Sequence, residues 1–255
     1  MKLHSLVYGS GSPLLILHGL MGSSDNWHTL AKRFGTFFHT FALDARNHGR
    51  SPHTPDFNYD VMAQDVMEFL HAQQLNAANI IGHSMGGKTA MKLALSHSQL
   101  VRRLIVVDIA PKRYPRLHDE ILETLGSIEL SLYTSRKDVD RALAEGIVDR
   151  TTRQFLMKNV SRDAEGRFMW KMNLPAIAQQ YDRISEEIVS DRPYEGSTLF
   201  VASKKSGYVL DEDVPAIKRL FPRAEFVWLN TGHWIHVEAP EEFFGIVLDF
   251  LNRES

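Results

Sequence analysis

Ile80-Ile81-Gly82-His83-Ser84-Met85-Gly86-Gly87 reads as a buried strand that runs into a glycine-flanked serine and straight on into a helix. The pattern around Ser84 is G-x-S-x-G, the nucleophile elbow. It describes a sharp, strained strand-to-helix turn in which neighbouring side chains would clash. Gly82 and Gly86 remove those side chains and leave the serine hydroxyl exposed. The flanks suit such a turn. Ala78 to Ile81 is a short apolar run fit for an inner strand, and Ala90, Met91, Ala94 and Leu95 recur with helical spacing just after it. A helix starting at Met85 aims its free N–H groups and the positive end of its dipole at the serine. The five-residue match alone is as easily a glycine-rich turn with an incidental serine. The strand before it and the helix after it make Ser84 a candidate nucleophile.

Upstream, the elements alternate. Leu3 to Tyr8 suits an edge strand, and Leu14 to Leu17 is a wholly apolar strand of the kind buried on both faces. Trp27, Leu30 and Phe34 fall at helical spacing after a cap at Ser23 or Ser24. Phe37 to Leu43 is a further strand closing on Asp44. Tyr59 to Leu70 spaces Val61, Met62, Asp65, Val66, Phe69 and Leu70 as an amphipathic helix. The alternation argues an α/β fold: a mostly parallel sheet with helices on both faces. The second strand ends in His18-Gly19-Leu20, where a backbone N–H can serve with that of Met85 as an oxyanion hole. The polar run Asp44 to Ser51 is expected to brace the site from below, with its Asp and Arg as a structural ion pair.

Composition bounds the chemistry. The chain has 255 residues, enough for a sizeable core, and a net charge of −2, which offers no electrostatic footprint for nucleic acid or an anionic membrane. With no cysteine, disulfides, thiolate catalysis and cysteine metal sites are excluded together. No run approaches the ~18 apolar residues of a membrane span, and the first residues lack the apolar stretch of a signal peptide. A cytoplasmic location, a small-molecule partner, no membrane, and a monomer or homodimer are the expectations.

His18-Gly19, the run Asp44 to Ser51, Gly82 to Gly87 and Gly232-His233 together resemble the α/β-hydrolase superfamily across essentially the whole chain. Arg46-Asn47-His48-Gly49, Val107 to Pro111 and Thr231-Gly232-His233-Trp234 are similar to the YbfF-type bacterial esterases, a group that cleaves short acyl esters and sometimes thioesters. Where most of the superfamily has Arg-Gly-His-Gly, this chain has Asn47, as that group does. The resemblance implies a hydrolase core over residues 1–111 and 193–255, and a helical cap over 112–192 covering the serine. The spacing within 112–192 shows only amphipathic helices and no convincing strand. Strands resume at Thr198 to Ala202 and Glu225 to Leu229, and a last helix runs through Phe243, Phe244, Val247 and Phe250.

His233 follows the last strand on a glycine-containing loop, where the resemblance puts the base in the chain order serine, acid, histidine. His83 is expected to point away along the elbow. A zinc pair from His233 and His236 has no apparent third ligand. Superfamily members usually carry the acid on the loop after Thr198 to Ala202, but Ser206 stands there. Asp108, ending the strand after the elbow helix, matches the position used by the esterase group, with Asp211 and Asp213 as fallbacks. The expected chemistry is acyl transfer: Ser84 attacks, His233 takes its proton, Asp108 orients the imidazole, and the Leu20 and Met85 amides hold the oxyanion. It requires neither metal nor organic cofactor, and an acyl ester or thioester is the expected substrate. A lyase or C–C bond hydrolase using the same triad, and a non-catalytic binding protein, are the competing readings.

Overall fold

A computed structural model describes residues 1–253. The chain runs β1 (Ser5–Tyr8), β2 (Pro13–Leu17), α1 (His28–Phe34), β3 (His39–Leu43), α2 (Tyr59–Ala72), β4 (Ala78–His83), α3 (Met85–Ser96) and β5 (Val101–Val107). After a long excursion it returns through β8 (Ser197–Ser203), α9 (Val214–Leu220), β9 (Ala224–Leu229), α10 (Ile235–Glu238) and α11 (Pro240–Asn252). The excursion holds α4 (Asp119–Ser127), α5 (Arg136–Leu143), α6 (Arg150–Met157), β6 (Val160–Arg162), β7 (Phe168–Trp170), α7 (Leu174–Gln179) and α8 (Tyr181–Ser185). The main sheet has the order β1-β3-β2-β4-β5-β8-β9. Only β1 pairs antiparallel; every other neighbour is parallel.

The strands are apolar on both faces because each face meets its own layer of helices. Leu15 and Leu17, Ile80, Leu104 and Val106, and Phe200 and Ala202 enter the core shared with α2 and α3. Their alternates Leu14 and Ile16, Ile81, Ile105 and Val107, and Leu199 and Val201 enter the core shared with α1 and α11. Period-two alternation therefore sorts one continuous apolar run into two cores. Each fully buried Leu, Ile or Val contributes about 1.5–3 kcal/mol relative to exposure. The central strands β4 and β5 form the rigid floor from which the site projects.

Between β5 and β8 the expectation of helices alone is corrected, since β6 and β7 form a short antiparallel hairpin. Its strands are three residues each, too short to leave a periodic signal. The hairpin closes at Gly166, which has φ +81°, and Asp163 Oδ1 accepts the N–H groups of Glu165 and Arg167 at 3.0 and 2.8 Å. Leu122, Leu125, Val139, Leu143 and Ile177 of this excursion belong to the same continuous core as β4 and α3.

The passage from β4 into α3 leaves no room beside the chain. A Cβ on Gly82 would lie 2.3 Å from the Gly86 carbonyl oxygen, and one on Gly86 would lie 2.3 Å from the Leu17 carbonyl oxygen. Both obstacles are backbone, so neither can swing aside. Gly86→Ala is accordingly expected to destabilise the protein by about 3 kcal/mol or more in urea denaturation. By contrast Gly126→Ala, in α4 with open space around it, is expected to change stability by no more than about 1 kcal/mol, toward greater stability. Equal effects of the two substitutions would contradict this account of the elbow.

Candidate active site

Ser84 occupies the turn between β4 and α3 with φ 52° and ψ −117°, a conformation that costs a non-glycine residue on the order of 1–3 kcal/mol. Its N–H donates to the Val107 carbonyl at 3.0 Å, which ties the turn to the end of β5. Met85 opens α3, so its N–H has no carbonyl within the helix to meet. Gly19 lies against the other side of the turn: a Cβ there would come within 3.3 Å of the Ser84 Cβ. Leu20 and Ser84 thus line one cavity, as the order of the two motifs implied.

Asp108 is the residue after β5, with φ 49°, and its N–H donates to the Val201 carbonyl at 2.9 Å. Its carboxylate is fully buried and bears on two donors. Oδ1 accepts the Ser203 N–H at 2.8 Å, and Oδ2 meets His233 Nδ1 at 2.8 Å. The other proposed carboxylates lie elsewhere. Asp211 is exposed on a 3₁₀ turn ahead of α9, and Asp213 Oδ2 accepts from Lys112 Nζ at 2.6 Å. Ser206, at the usual acid position, accepts the Tyr208 N–H at 3.2 Å and so shapes the loop instead. Tyr208 was missed from sequence, yet its ring stacks on His233 at 3.8 Å between centroids and 17° between planes.

Behind these groups stand histidines that carry no charge. His18 Nε2 accepts the Ala45 N–H at 3.0 Å, which leaves Nδ1–H to donate to the Gly19 carbonyl at 2.8 Å. In the same way His48 Nε2 accepts the Met21 N–H at 3.1 Å and Nδ1–H donates to the Arg46 carbonyl at 2.9 Å. These tautomers fix the Gly19–Met21 loop that presents Leu20. His83 lines the same cavity as Ser84, and its Nε2–H donates to the His233 carbonyl at 3.0 Å. His236 stacks on Trp27 at 4.0 Å. Burial disfavours the charged imidazolium, lowering His18 and His83 and pushing both His48 and His236 down to about 3.

The polar run after β3 does brace the site, but with different partners from those expected. Asp44 makes no ion pair with Arg46; its carboxylate accepts the N–H groups of Ser24 and Arg50 at 2.6 and 2.9 Å. Arg46 instead reaches Asp65 on α2, with Nε–Oδ2 at 2.6 Å and Nη2–Oδ1 at 2.9 Å. The reason is geometric, since a planar guanidinium forks onto a carboxylate that α2 presents face on. Asn47 adopts φ 64°, the left-handed region that Asn tolerates, and its side chain has a further use. Its Oδ1 accepts from Thr54 N–H at 2.8 Å and Asn173 Nδ2 at 3.0 Å, linking the β3 loop to the segment between β5 and β8.

That segment covers the serine. A cavity of about 230 Å³ is lined by Ser84 and His233 from the sheet side and by Ile121, Phe155 and Leu156 from above. A second compartment of about 40 Å³ meets it at Ser84 and extends past Met85 to Tyr59, Lys88 and Ile184. Lys88 was not foreseen. Only 1% exposed, it donates to the carbonyls of Lys112 at 2.8 Å and Glu186 at 2.6 Å, and so holds both ends of the covering segment, and burial lowers it to about 7.

With that geometry in place, residues 12–134 match the family model described as the alpha/beta hydrolase fold. Esterase YbfF of Escherichia coli is 34% identical over 247 residues, covering 95% of this chain and 94% of that protein. The chain belongs to the alpha/beta hydrolase family. The sn-1-specific diacylglycerol lipase ABHD11 of Danio rerio is 37% identical over 252 residues, covering 95% of this chain and 79% of the lipase. Among solved structures, a marine microorganism esterase superposes with TM-score 0.96 at 41% identity, covering 98% of this chain and 99% of its own. Within the family the chain thus groups with esterases and lipases. Among the described residues no helix is long and apolar enough to cross a membrane.

The buried neutral histidines set a pH dependence of stability. Their folded pKa values lie below the ordinary value of about 6.5, so the unfolded chain binds more protons and stability rises with pH between the two. The contribution is complete above about pH 6.5 and is lost as pH falls toward about 3. The thermal transition is expected to fall between pH 8 and 7 as folded Lys88 lags the unfolded chain in binding its proton, and to fall further from 6.5 to 5 as the buried histidines do the same, above the carboxylate range. In His48→Asn the slope should be shallower by about one proton. A level transition down to pH 5 would contradict buried neutral histidines.

Proposed function

We propose that this hydrolase is a serine carboxylesterase that cleaves short acyl esters, and thioesters by the same route, through an acyl-enzyme. Ser84 is the nucleophile, His233 the general base, Asp108 the orienting acid, and the Leu20 and Met85 amides the oxyanion hole. Residues 112–192 serve as a cap over a core formed by 1–111 and 193–255. The observation that carries the reading is the 2.8 Å contact between Asp108 Oδ2 and His233 Nδ1 beneath the cavity that Ser84 lines. An acid on a strand end is held more rigidly than one several residues along a polar loop. The names of the esterase and lipase relatives support the same reaction class.

The steps follow from the atoms. His233 Nε2 takes the Ser84 proton as Oγ attacks the acyl carbon, while Nδ1–H stays on Asp108 and fixes the tautomer. Developing charge on the carbonyl oxygen meets two preorganised N–H groups, each worth about 2.7–4 kcal/mol in comparable sites. His233 then returns the proton to the leaving oxygen. Water enters by the reverse path and frees the acid.

Ser84→Ala is expected to abolish both fluorophosphonate labelling and ester hydrolysis. Asp108→Asn should keep the fold and lower kcat by up to about 10⁴-fold, as a tautomer defect does, whereas Asp211→Asn should change kcat less than about threefold. The reverse ranking, measured on variants with matched thermal transitions, would move the acid to Asp211.

A further inference from the structure

We infer that the two compartments meeting at Ser84 divide the substrate unequally. The acyl chain enters the small one and the leaving group the large one, so the enzyme limits acyl length while tolerating bulky apolar alcohols. This rests on the proposed roles of Ser84 and His233.

The assignment comes from where the proton must go. In acylation the Ser84 Oγ–carbon bond forms and the carbon–oxygen bond of the ester breaks. The proton taken from Ser84 passes through His233 Nε2 to the departing oxygen, so that oxygen must lie on the His233 side. His233 and Trp234 line the cavity of about 230 Å³ and not the compartment of about 40 Å³. Met85, whose N–H faces the developing oxyanion, lines the small compartment and not the large one. With the leaving oxygen on the His233 side, the acyl chain is left the other compartment, past Met85.

Size and lining then set the limits. With about 40 Å³ of accessible space, the small compartment suits a short acyl chain. The floor cannot retreat, because Lys88 is fixed by the Lys112 and Glu186 carbonyls, and the Tyr59 hydroxyl donates to the Ile184 carbonyl. Those bonds also occupy the ammonium, so this end of the compartment favours an uncharged chain. On the other side Phe155, Leu156, Ile121 and Trp234 offer an apolar wall to a cavity several times larger, with the rings of Phe155 and Trp234 5.3 Å apart. An aromatic or branched alcohol suits that wall.

The test uses two substrate series on the full chain: p-nitrophenyl esters from acetyl to octanoyl, and acetates of alcohols from methanol to naphthol. Across the first, kcat/KM is expected to fall about 100-fold or more beyond butyryl; across the second it should hold or rise. Ile184→Ala is expected to raise the hexanoyl-to-acetyl ratio at least tenfold without altering the order of the alcohols. Phe155→Ala should lower the naphthyl-to-methyl ratio and leave the acyl order as it was. The wild-type series stand alone if Ile184→Ala does not fold. Acceptance of octanoyl esters with rejection of naphthyl acetate, or exchange of the two variants' effects, would overturn the division. Fluorophosphonate labelling, read as a mass increment on the intact protein, separates the failures. Labelling lost in Ser84→Ala with a reversed profile refutes the division alone, whereas no labelling of the wild type removes the serine reading on which it rests.

Discussion

The structure depends on one unfavourable backbone. Ser84 holds φ 52° and ψ −117°, worth about 1–3 kcal/mol of strain, and it persists because close packing on every side admits no alternative. A Cβ on Gly82 would strike the Gly86 carbonyl, one on Gly86 would strike the Leu17 carbonyl, and the Ser84 N–H is bound to Val107. Three adjacent strands, β2, β4 and β5, therefore fix one residue. Parallel pairing makes this possible: all three strands end at the same edge, where their loops can converge.

The same edge concentrates charge that must be neutralised or bound. Asp108 is buried yet accepts from Ser203 N–H and meets His233 Nδ1, and Asp44 is buried and accepts from two backbone N–H groups. Arg46 and Asp65 satisfy each other with two contacts, and breaking such a pair costs about 3–5 kcal/mol even where the intact pair contributes little. Histidines solve the complementary problem. Because a neutral imidazole is at once donor and acceptor, His18 and His48 each join two backbone segments without a buried charge.

Much of this was legible in the residues, for identifiable reasons. The central strands announced themselves as apolar runs, and their helices by spacing, because burial on two faces leaves a periodic trace. Asp108 could be singled out because it directly ends a strand, at the position implied by the resemblance to the YbfF-type esterases. Partners distant in sequence could not. Arg46 was matched to its near neighbour Asp44 although its carboxylate lies on α2. A signal existed nevertheless: Asp65 falls among Met62, Val66 and Phe69 on the buried stripe of its helix, and Lys88 falls between Met85 and Met91 on another. A charge inside an apolar stripe needs a buried partner, and the rule would have flagged both. The hairpin β6–β7 and the Tyr208 ring carried no comparable trace, since three-residue strands and a single aromatic lack periodicity.

The segment between β5 and β8 is joined to the sheet in two different ways, and the difference bears on how it can move. Apolar side chains of α4, α5 and α7 share one continuous core with the sheet, so lifting the whole segment would expose that core. Polar links add to this at its two ends, through Lys88 to the Lys112 and Glu186 carbonyls, and at its middle, through Asn159 Nδ2 to the Met21 carbonyl at 2.6 Å and Asn173 to Asn47. The wall formed by Leu117, Ile121, Thr152 and Phe155 over the large cavity lies between these anchors. Local displacement there exposes a few side chains and breaks none of those bonds, whereas hinge opening of the segment breaks all of them. Free energies of local opening range from near zero up to the global value, so movement confined to this wall costs less than hinge opening of the whole segment.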